Sequence, residues 1–259
     1  MVDRGSSTLV RLAADRATGA LHGRVGALYF ADGAVVHAES PAVPDVGWRL
    51  TAGGRLSPEA WDEAVEEGGP HYRAGSFLVE HGRLSRGELE LCHASALFDA
   101  AYFVLSPLDG AQQVPDRFLR EARHWFGPVR PVPVPVLQRE VRRRRCLLER
   151  AWPCPQVDAA PVVPVAGAGP YGPGGGTGLP TCGRRAVLDA ADGVRTPLQI
   201  ARALGRSAFA TLLDVRRLAA AGLVRTPEAG PPPVCTPPRG TTAPEISLLY
   251  RIRDALEAL

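Results

Sequence analysis

The hydrophobic residues of the first hundred positions follow two patterns, one typical of helices and the other of strands. Leu9 and Leu12 fall at helical spacing within residues 7–17. Three apolar runs follow, at residues 20–25, 27–30 and 35–39. The Asp32-Gly33 pair between the last two runs is typical of a tight hairpin turn. With the helical pattern that continues to about residue 105, these runs predict an α+β fold that begins with a mixed hairpin-plus-helices domain.

An internal repeat of 28 residues lies inside that helical stretch, because residues 46–65 align without gaps with residues 74–93. The shared positions are Gly47/Gly75, Leu50/Leu78, Gly54/Gly82, Arg55/Arg83, Leu56/Leu84 and Ser57/Ser85. Each copy predicts a short helix, a left-handed glycine that ends it, and a serine that caps the next helix. Two copies of this pattern are more typical of a packing unit than of a binding site.

Proline and glycine divide the rest of the chain. The alternation of Val with Pro predicts an extended stretch over residues 124–136, and a helix is expected at 138–152. The Gly/Pro-rich segment 153–181 has the composition of a flexible linker. The predicted organisation is an N-terminal domain (1–152), a linker (153–181), a helical domain (182–228), a Pro-rich linker (229–244) and an amphipathic terminal helix (245–259).

Composition narrows the class of protein. All 30 basic residues are Arg, which indicates a GC-rich, actinobacterial type of genome. The net charge of +3 is uneven, since residues 1–105 carry 9 Arg and 14 acidic residues and residues 182–226 carry 8 and 3. Five scattered Cys without a C-x-x-C pair predict neither disulfides nor a zinc site. We expect a cytoplasmic protein with no membrane contact, because the chain has no long apolar run and no secretory signal.

No catalytic or metal-binding pattern stands out in the sequence. The serines lie in cap or turn contexts, and the Gly-rich run at 172–178 lacks the Gly-Lys-Ser/Thr of a phosphate loop. The histidines lack metal-ligand spacing, and His93 and His124 are expected to be packing residues. The expectation is therefore a protein that is not an enzyme and uses no cofactor and no metal.

Residues 182–228 carry a pattern of three short helices. The first is expected at 184–191, Thr196 and Pro197 begin the second, and Ser207 caps a third that ends at Gly222. With Leu223–Arg225 as the start of a β-wing, this segment resembles the winged helix-turn-helix of bacterial regulators. The resemblance implies that the third helix lies in the major groove of DNA. The expected DNA contacts, mostly to phosphate, are Arg184, Arg185, Thr196, Arg206, Ser207, Thr211, Arg216, Arg217 and Arg225.

A second interpretation of the third helix remains open, because its base-reading positions Ala210, Leu212 and Leu213 are apolar. In that interpretation the module is a protein-docking or dimerisation surface. Its anchors would be Leu212 and Leu213, together with Leu249, Ile252 and Leu256 of the terminal helix.

Residues 18–40, followed by the two copies of the repeat, resemble the PatA-type N-terminal domain of bacterial signalling proteins. Most of residues 5–226 resembles a group of actinobacterial transcriptional regulators. This implies a transcriptional regulator with an N-terminal sensing or partner-docking domain; the alternatives are a signalling adaptor and a cyclic-dinucleotide-responsive regulator.

The repeat is also loosely similar to the cyclic di-GMP-binding motif of type II secretion ATPases. The first copy lacks the opening Arg and neither copy has the closing Gln, which argues against that ligand.

Overall fold

An antiparallel sheet of five strands forms the centre of the N-terminal region. The structure is a computed structural model, and it describes residues 4–106, 117–165 and 181–225. The strands are β1 (Gly19–Gly23), β2 (Gly26–Ala31), β3 (Ala34–Glu39), β4 (Arg117–Arg120) and β5 (Val132–Pro133), in the order β4-β1-β2-β3-β5. Asp32 and Gly33 have φ values of 50° and 78°, as a two-residue hairpin turn requires, and this confirms the predicted turn.

Three helices cover this sheet: α1 (Arg4–Ala14), α5 (Arg86–Leu105) and α6 (Val134–Ala151). Their apolar side chains share one core with the strands, and Leu9, Leu28, Leu97 and Leu137 are fully buried in it. The α+β class predicted from the sequence is confirmed. Within the described residues, no helix combines the length and the apolar character that a membrane crossing needs.

The extended stretch predicted at 124–136 is only partly present. Residues 132–133 form the edge strand β5, but Val134 already begins α6, so the Pro at 135 lies in the first helical turn. A first-turn proline causes no conflict, because the backbone N–H that it lacks has no partner inside the helix. The helix therefore begins four residues earlier than the predicted 138.

The repeat forms two short helices, each followed by a longer one. These are α2 (Val46–Ala52), α3 (Pro58–Gly68), α4 (Ala74–Glu80) and α5. Gly54 and Gly82 both have a φ of 65°, and Ser57 and Ser85 accept hydrogen bonds from the first-turn amides of α3 and α5. The repeated leucines pack in one shared cluster, so the prediction of a packing unit is confirmed.

Residues 181–225 contain α7 (Cys182–Asp189), α8 (Pro197–Ala203) and α9 (Ala208–Ala220). Thr196 and Ser207 cap α8 and α9 as predicted. Residues 161–165, at the end of the described part of the expected linker, bond to 193–195 on one side and to 223–225 on the other. The backbone N–H groups of Val162 and Arg225 donate to the carbonyls of Arg195 and Val163, each at 2.9 Å.

The expected Gly/Pro linker is thus structured over residues 153–165, where it includes a short 3-10 helix, Pro155–Asp158. Residues 166–180 lie outside the described part of the chain. So do the predicted Pro-rich linker, the terminal helix and the candidate anchors Leu249, Ile252 and Leu256.

Candidate functional site

Helix α9 is buried on two of its faces. Val215, Leu218 and Ala219 pack against α7 and α8, which is the core of the C-terminal helices themselves. Phe209 and Leu212 instead join the core of the N-terminal region. A helix with apolar residues on more than one face is typical of a helix enclosed by protein. The C-terminal helices, predicted as a separately tethered module, therefore pack on the N-terminal region through α9.

Asp99, in the middle of α5, holds the beginning of α9 against the N-terminal region. Its carboxylate has no exposed surface and accepts hydrogen bonds from Arg49 Nη2 at 2.6 Å and from Arg144 Nη1 at 2.7 Å. It also accepts from the Ser207 hydroxyl at 2.8 Å and from the backbone N–H of Ala208 at 3.1 Å. A carboxylate at this place satisfies an otherwise unpaired helix N–H and has a favourable interaction with the helix dipole.

Arg144 connects the ionic and the apolar parts of this contact. Its guanidinium lies 4.5 Å from the centre of the Phe209 ring while it is ion-paired with Asp99. The Phe209 ring also packs edge to face against the ring of Tyr102, with ring centres 5.6 Å apart. The group formed by Arg49, Asp99, Arg144 and Ser207 is called the Asp99 cluster below.

A second ion pair, between Arg216 and Asp158, holds α9 against the short 3-10 helix Pro155–Asp158. Arg216 and Asp158 form two parallel hydrogen bonds of 2.8 and 2.6 Å, and only 5% and 3% of the two residues is exposed. The same guanidinium donates to the carbonyl of Trp152 at 2.7 Å. A paired guanidinium and carboxylate of this kind orders the 3-10 helix against α9.

These contacts involve or bury several of the residues that are predicted to bind DNA. Thr211 has no exposed surface, Arg216 is buried on Asp158, and the Ser207 hydroxyl is bonded to Asp99. These residues therefore cannot reach DNA while α9 holds this position. The expectation is corrected for Leu212 as well, because it is fully buried against the N-terminal core rather than an exposed anchor, and Leu213 packs partly buried beside it.

The remaining predicted DNA contacts fall into two groups. Thr196 caps α8, and Arg206 donates to Asp214 and to the carbonyl of Gly183, so both have internal partners. Other candidates lie at or near the surface of the C-terminal helices: Arg184, Arg185, Arg217 and Arg225. Only this second group is available to a phosphate backbone in the arrangement described.

A cleft of about 470 Å³ opens beside β3, between the sheet, the segment that leads into α2, and α8. His37 and Glu39 line it from β3, His22 from β1, and Arg202 from α8. Arg202 also donates to the carbonyl of Pro41 at 3.3 Å. The cleft is thus bounded by both the N-terminal region and the C-terminal helices.

Three buried histidines meet at the β3 side of this cleft, and of the three it is His37 that lines the cleft. His37 Nδ1 lies 3.1 Å from His93 Nε2, and the His37 ring is stacked on that of His124 with ring centres 3.6 Å apart. His124 Nε2 lies 2.7 Å from Glu39 Oε1, and the hydroxyl of Tyr29 donates to the other oxygen of Glu39 at 3.0 Å. We refer to His37, His93, His124 and Glu39 as the histidine cluster.

The hydrogen bonds fix the protons in this cluster. The backbone N–H of Phe126 donates to His124 Nδ1, so the ring proton of His124 is on Nε2 and is donated to Glu39. Burial holds the pKa of His37 well below its usual value and lowers that of His93 to about 4, and the neighbouring imidazoles add to both shifts. The hydrogen bond from His124 lowers the pKa of Glu39. At neutral pH the cluster therefore offers His37 and His93 as neutral imidazoles and Glu39 as a carboxylate.

One nitrogen each of His37 and His124 and an oxygen of Glu39 lie within 4.8 Å of one another, which is close enough to share a metal ion. The absence of a metal site was inferred from histidine spacing within single segments, and that reasoning misses ligands that come from separate elements. A local signal did exist, because His37 and Glu39 are two residues apart on one strand and so share a face.

Known proteins give no assignment for this chain. No family model matches the sequence, and no curated protein and no solved structure matches it. The resemblances to PatA-type domains and to winged-helix regulators therefore stay predictions.

Proposed function

We propose that the chain is a transcriptional regulator whose C-terminal winged helix is docked on its N-terminal domain in a form that does not read DNA bases. The observation that carries this proposal is the burial of Phe209, Thr211 and Leu212 on α9. A recognition helix needs an exposed face to enter the major groove. Here that helix is enclosed, so base reading requires release of the winged helix from the N-terminal domain.

The docked form is held by one ionic and one apolar contact. The Asp99 cluster fixes the first turn of α9. Phe209, in the same turn, and Leu212, about one turn further on, fill the apolar contact. Because Val215 and Leu218 belong to a separate core, the winged helix can keep its own packing when it leaves the N-terminal domain. Regulation then consists of a signal at the N-terminal domain that shifts this equilibrium.

The surface arginines give the proposal its electrostatic component. Arg185, Arg217 and Arg225 stay exposed in the docked form. Contacts from these side chains go to phosphate, so DNA binding by either form should weaken steeply as salt concentration rises.

The test compares two truncations of similar size on the same helix. Phe209→Ala removes the contact to Tyr102 and Arg144 but leaves the core of the winged helix intact. The lost packing weakens docking by about 3 kcal/mol, which corresponds to a roughly hundredfold larger open population. Binding to a labelled library of genomic fragments should rise accordingly. The control Leu218→Ala damages the winged helix's own core and should not increase DNA binding.

A signalling adaptor is the second candidate, and the apolar character of Ala210, Leu212 and Leu213 favours it. The side chains at these positions cannot hydrogen-bond to base edges. Leu212 and Leu213 pack against the core of the N-terminal region of the same chain. Hydrogen exchange separates the candidates. If exchange shows that Phe209→Ala opens the contact with the N-terminal domain and DNA binding still does not rise, the regulator proposal is refuted and the adaptor is supported.

A further inference from the structure

Four of the six histidines of the chain, His22, His37, His93 and His124, gather around one carboxylate. Three of these rings are buried, and His22 lies at the cleft wall with its ring edge-on to Tyr29. Burying polar rings is unfavourable unless each has a partner. A purely structural core would fill this space with apolar side chains, as the neighbouring Leu28 and Leu97 do elsewhere in the same core.

We propose that His37, Glu39 and His124 bind a divalent transition-metal ion of the zinc type beside the cleft, whose wall includes His37 and Glu39. The three donor atoms lie within 4.8 Å of one another. Ligands of a tetrahedral zinc ion are roughly 3.4 Å apart, as follows from metal–nitrogen bonds of about 2.0–2.1 Å. The donors therefore need to move by about an ångström to reach a shared ion. Two imidazoles and one carboxylate suit zinc-like ions better than Ca²⁺ or Mg²⁺, which prefer oxygen ligands throughout.

Metal binding changes two features of the cluster. The rings of His37 and His124 are inclined by only 12°, so one of them must turn for both nitrogen lone pairs to point at the same ion. The ion takes the place of the proton on His124 Nε2, and that proton moves to Nδ1. The contact from the Phe126 N–H to Nδ1, at 3.2 Å, is then lost. No proton is gained or lost by the ring as a whole.

The surroundings favour this exchange. His93, bonded to His37 at 3.1 Å, can hold the His37 ring in place from behind as a positioning residue. Glu39 provides the negative charge that a divalent ion requires.

The cleft provides both access and a free coordination position. His37 and Glu39 line it, so an ion can enter from solvent and keep one side open to water or to a small ligand. Three protein ligands with an open fourth position define an accessible site rather than a closed structural one.

The experiment is a titration of the full-length, chelator-treated protein with ZnCl₂, followed by calorimetry and by metal analysis after dialysis. Wild type should bind one ion per chain. Glu39→Gln, which keeps the shape of the side chain, should lower the affinity at least about tenfold. The matched control His71→Ala/His81→Ala removes two exposed histidines outside the cluster and should bind like wild type.

Two outcomes overturn the proposal: no stoichiometric zinc binding by wild type, or binding that survives Glu39→Gln but is lost in the His71→Ala/His81→Ala control. A second measurement needs no substitution and so does not depend on the folding of a variant. The ring ¹⁵N resonances of His37 and His124 should shift on zinc addition, whereas those of His71 and His81 should not. Shifts confined to the exposed pair would assign the ion to the surface and refute the site.

Discussion

Replacing Asp99 by Asn gives the sharpest test of how the chain holds its two regions together. The substitution preserves the shape of the side chain but removes the charge that Arg49 and Arg144 share. Both arginine side chains are only 11% exposed, so water cannot replace the lost carboxylate. Arg144 keeps its ion pair with Glu140 at 2.9 Å, so the uncompensated charge is that of Arg49. The amide can also accept through only one atom, while the carboxylate accepts four hydrogen bonds through two.

The expected loss of stability follows from this geometry. Removal of one partner from a buried ion pair costs about 3–5 kcal/mol, chiefly because an uncompensated charge stays inside the protein. For a folded region of this size, each kcal/mol lowers Tm by about 2–4 °C, so the expected drop is roughly 6–20 °C. Calorimetry or thermal circular dichroism measures it directly.

The matched control is Asp32→Asn, which makes the same chemical change in an Asp–Arg pair at the surface. Asp32 and Arg16 are 65% and 74% exposed, so water and salt replace the lost interaction and Tm should hardly change. Hydrogen exchange adds a local readout, since the first-turn amides of α9 should lose protection in Asp99→Asn. Equal Tm values for the two variants would show that Asp99 does not hold α9, and the reasoning about the docked form would fail.

Two further predictions concern the histidine cluster and the repeat. In chelator, unfolding by urea should give full stability above about pH 6.5 and a progressive loss towards pH 4, because the folded-state pKa of His93 is about 4 and the unfolded chain protonates first. His93 alone accounts for about 3 kcal/mol of that loss, and a flat profile between pH 7 and pH 5 would contradict it. Gly82→Ala should cost about 1 kcal/mol in urea unfolding, because its φ is 65°, whereas Gly87→Ala, in the first turn of α5, should be neutral or stabilising. Equal effects of the two alanines would refute the left-handed role of Gly82.

Local chemistry explains which parts of the fold the sequence could predict. The turn at Asp32-Gly33 and the caps at Ser85 and Thr196 depend on residues within three or four positions of each other. Such signals can be read directly from the chain. The strand β4 could not be predicted, because Arg117–Arg120 is too short to show an alternating pattern and gains its partners only from β1.

The candidate site depends on contacts that no local pattern contains. His37, His93 and His124 come from a strand, a helix and a loop, and only the packing of α5 on the sheet brings them together. The docking of α9 did leave a trace in the sequence. Leu212 and Leu213 are apolar on a face that a DNA-reading helix would keep polar, and this predicts an anchor for another protein, but both side chains pack against the N-terminal core of the same chain.

The backbone hydrogen bonds of residues 161–165 determine which fragments of this protein keep their internal contacts. A fragment that begins at residue 182 would lack the segment 161–165, and the backbone groups of residues 193–195 and 223–225 that bond to it would lose these partners. It would also lack Asp158 and Trp152, so Arg216 would lose all three of its hydrogen bonds to them. A fragment that keeps these contacts has to start near Trp152 and to retain the Gly/Pro-rich residues up to 181.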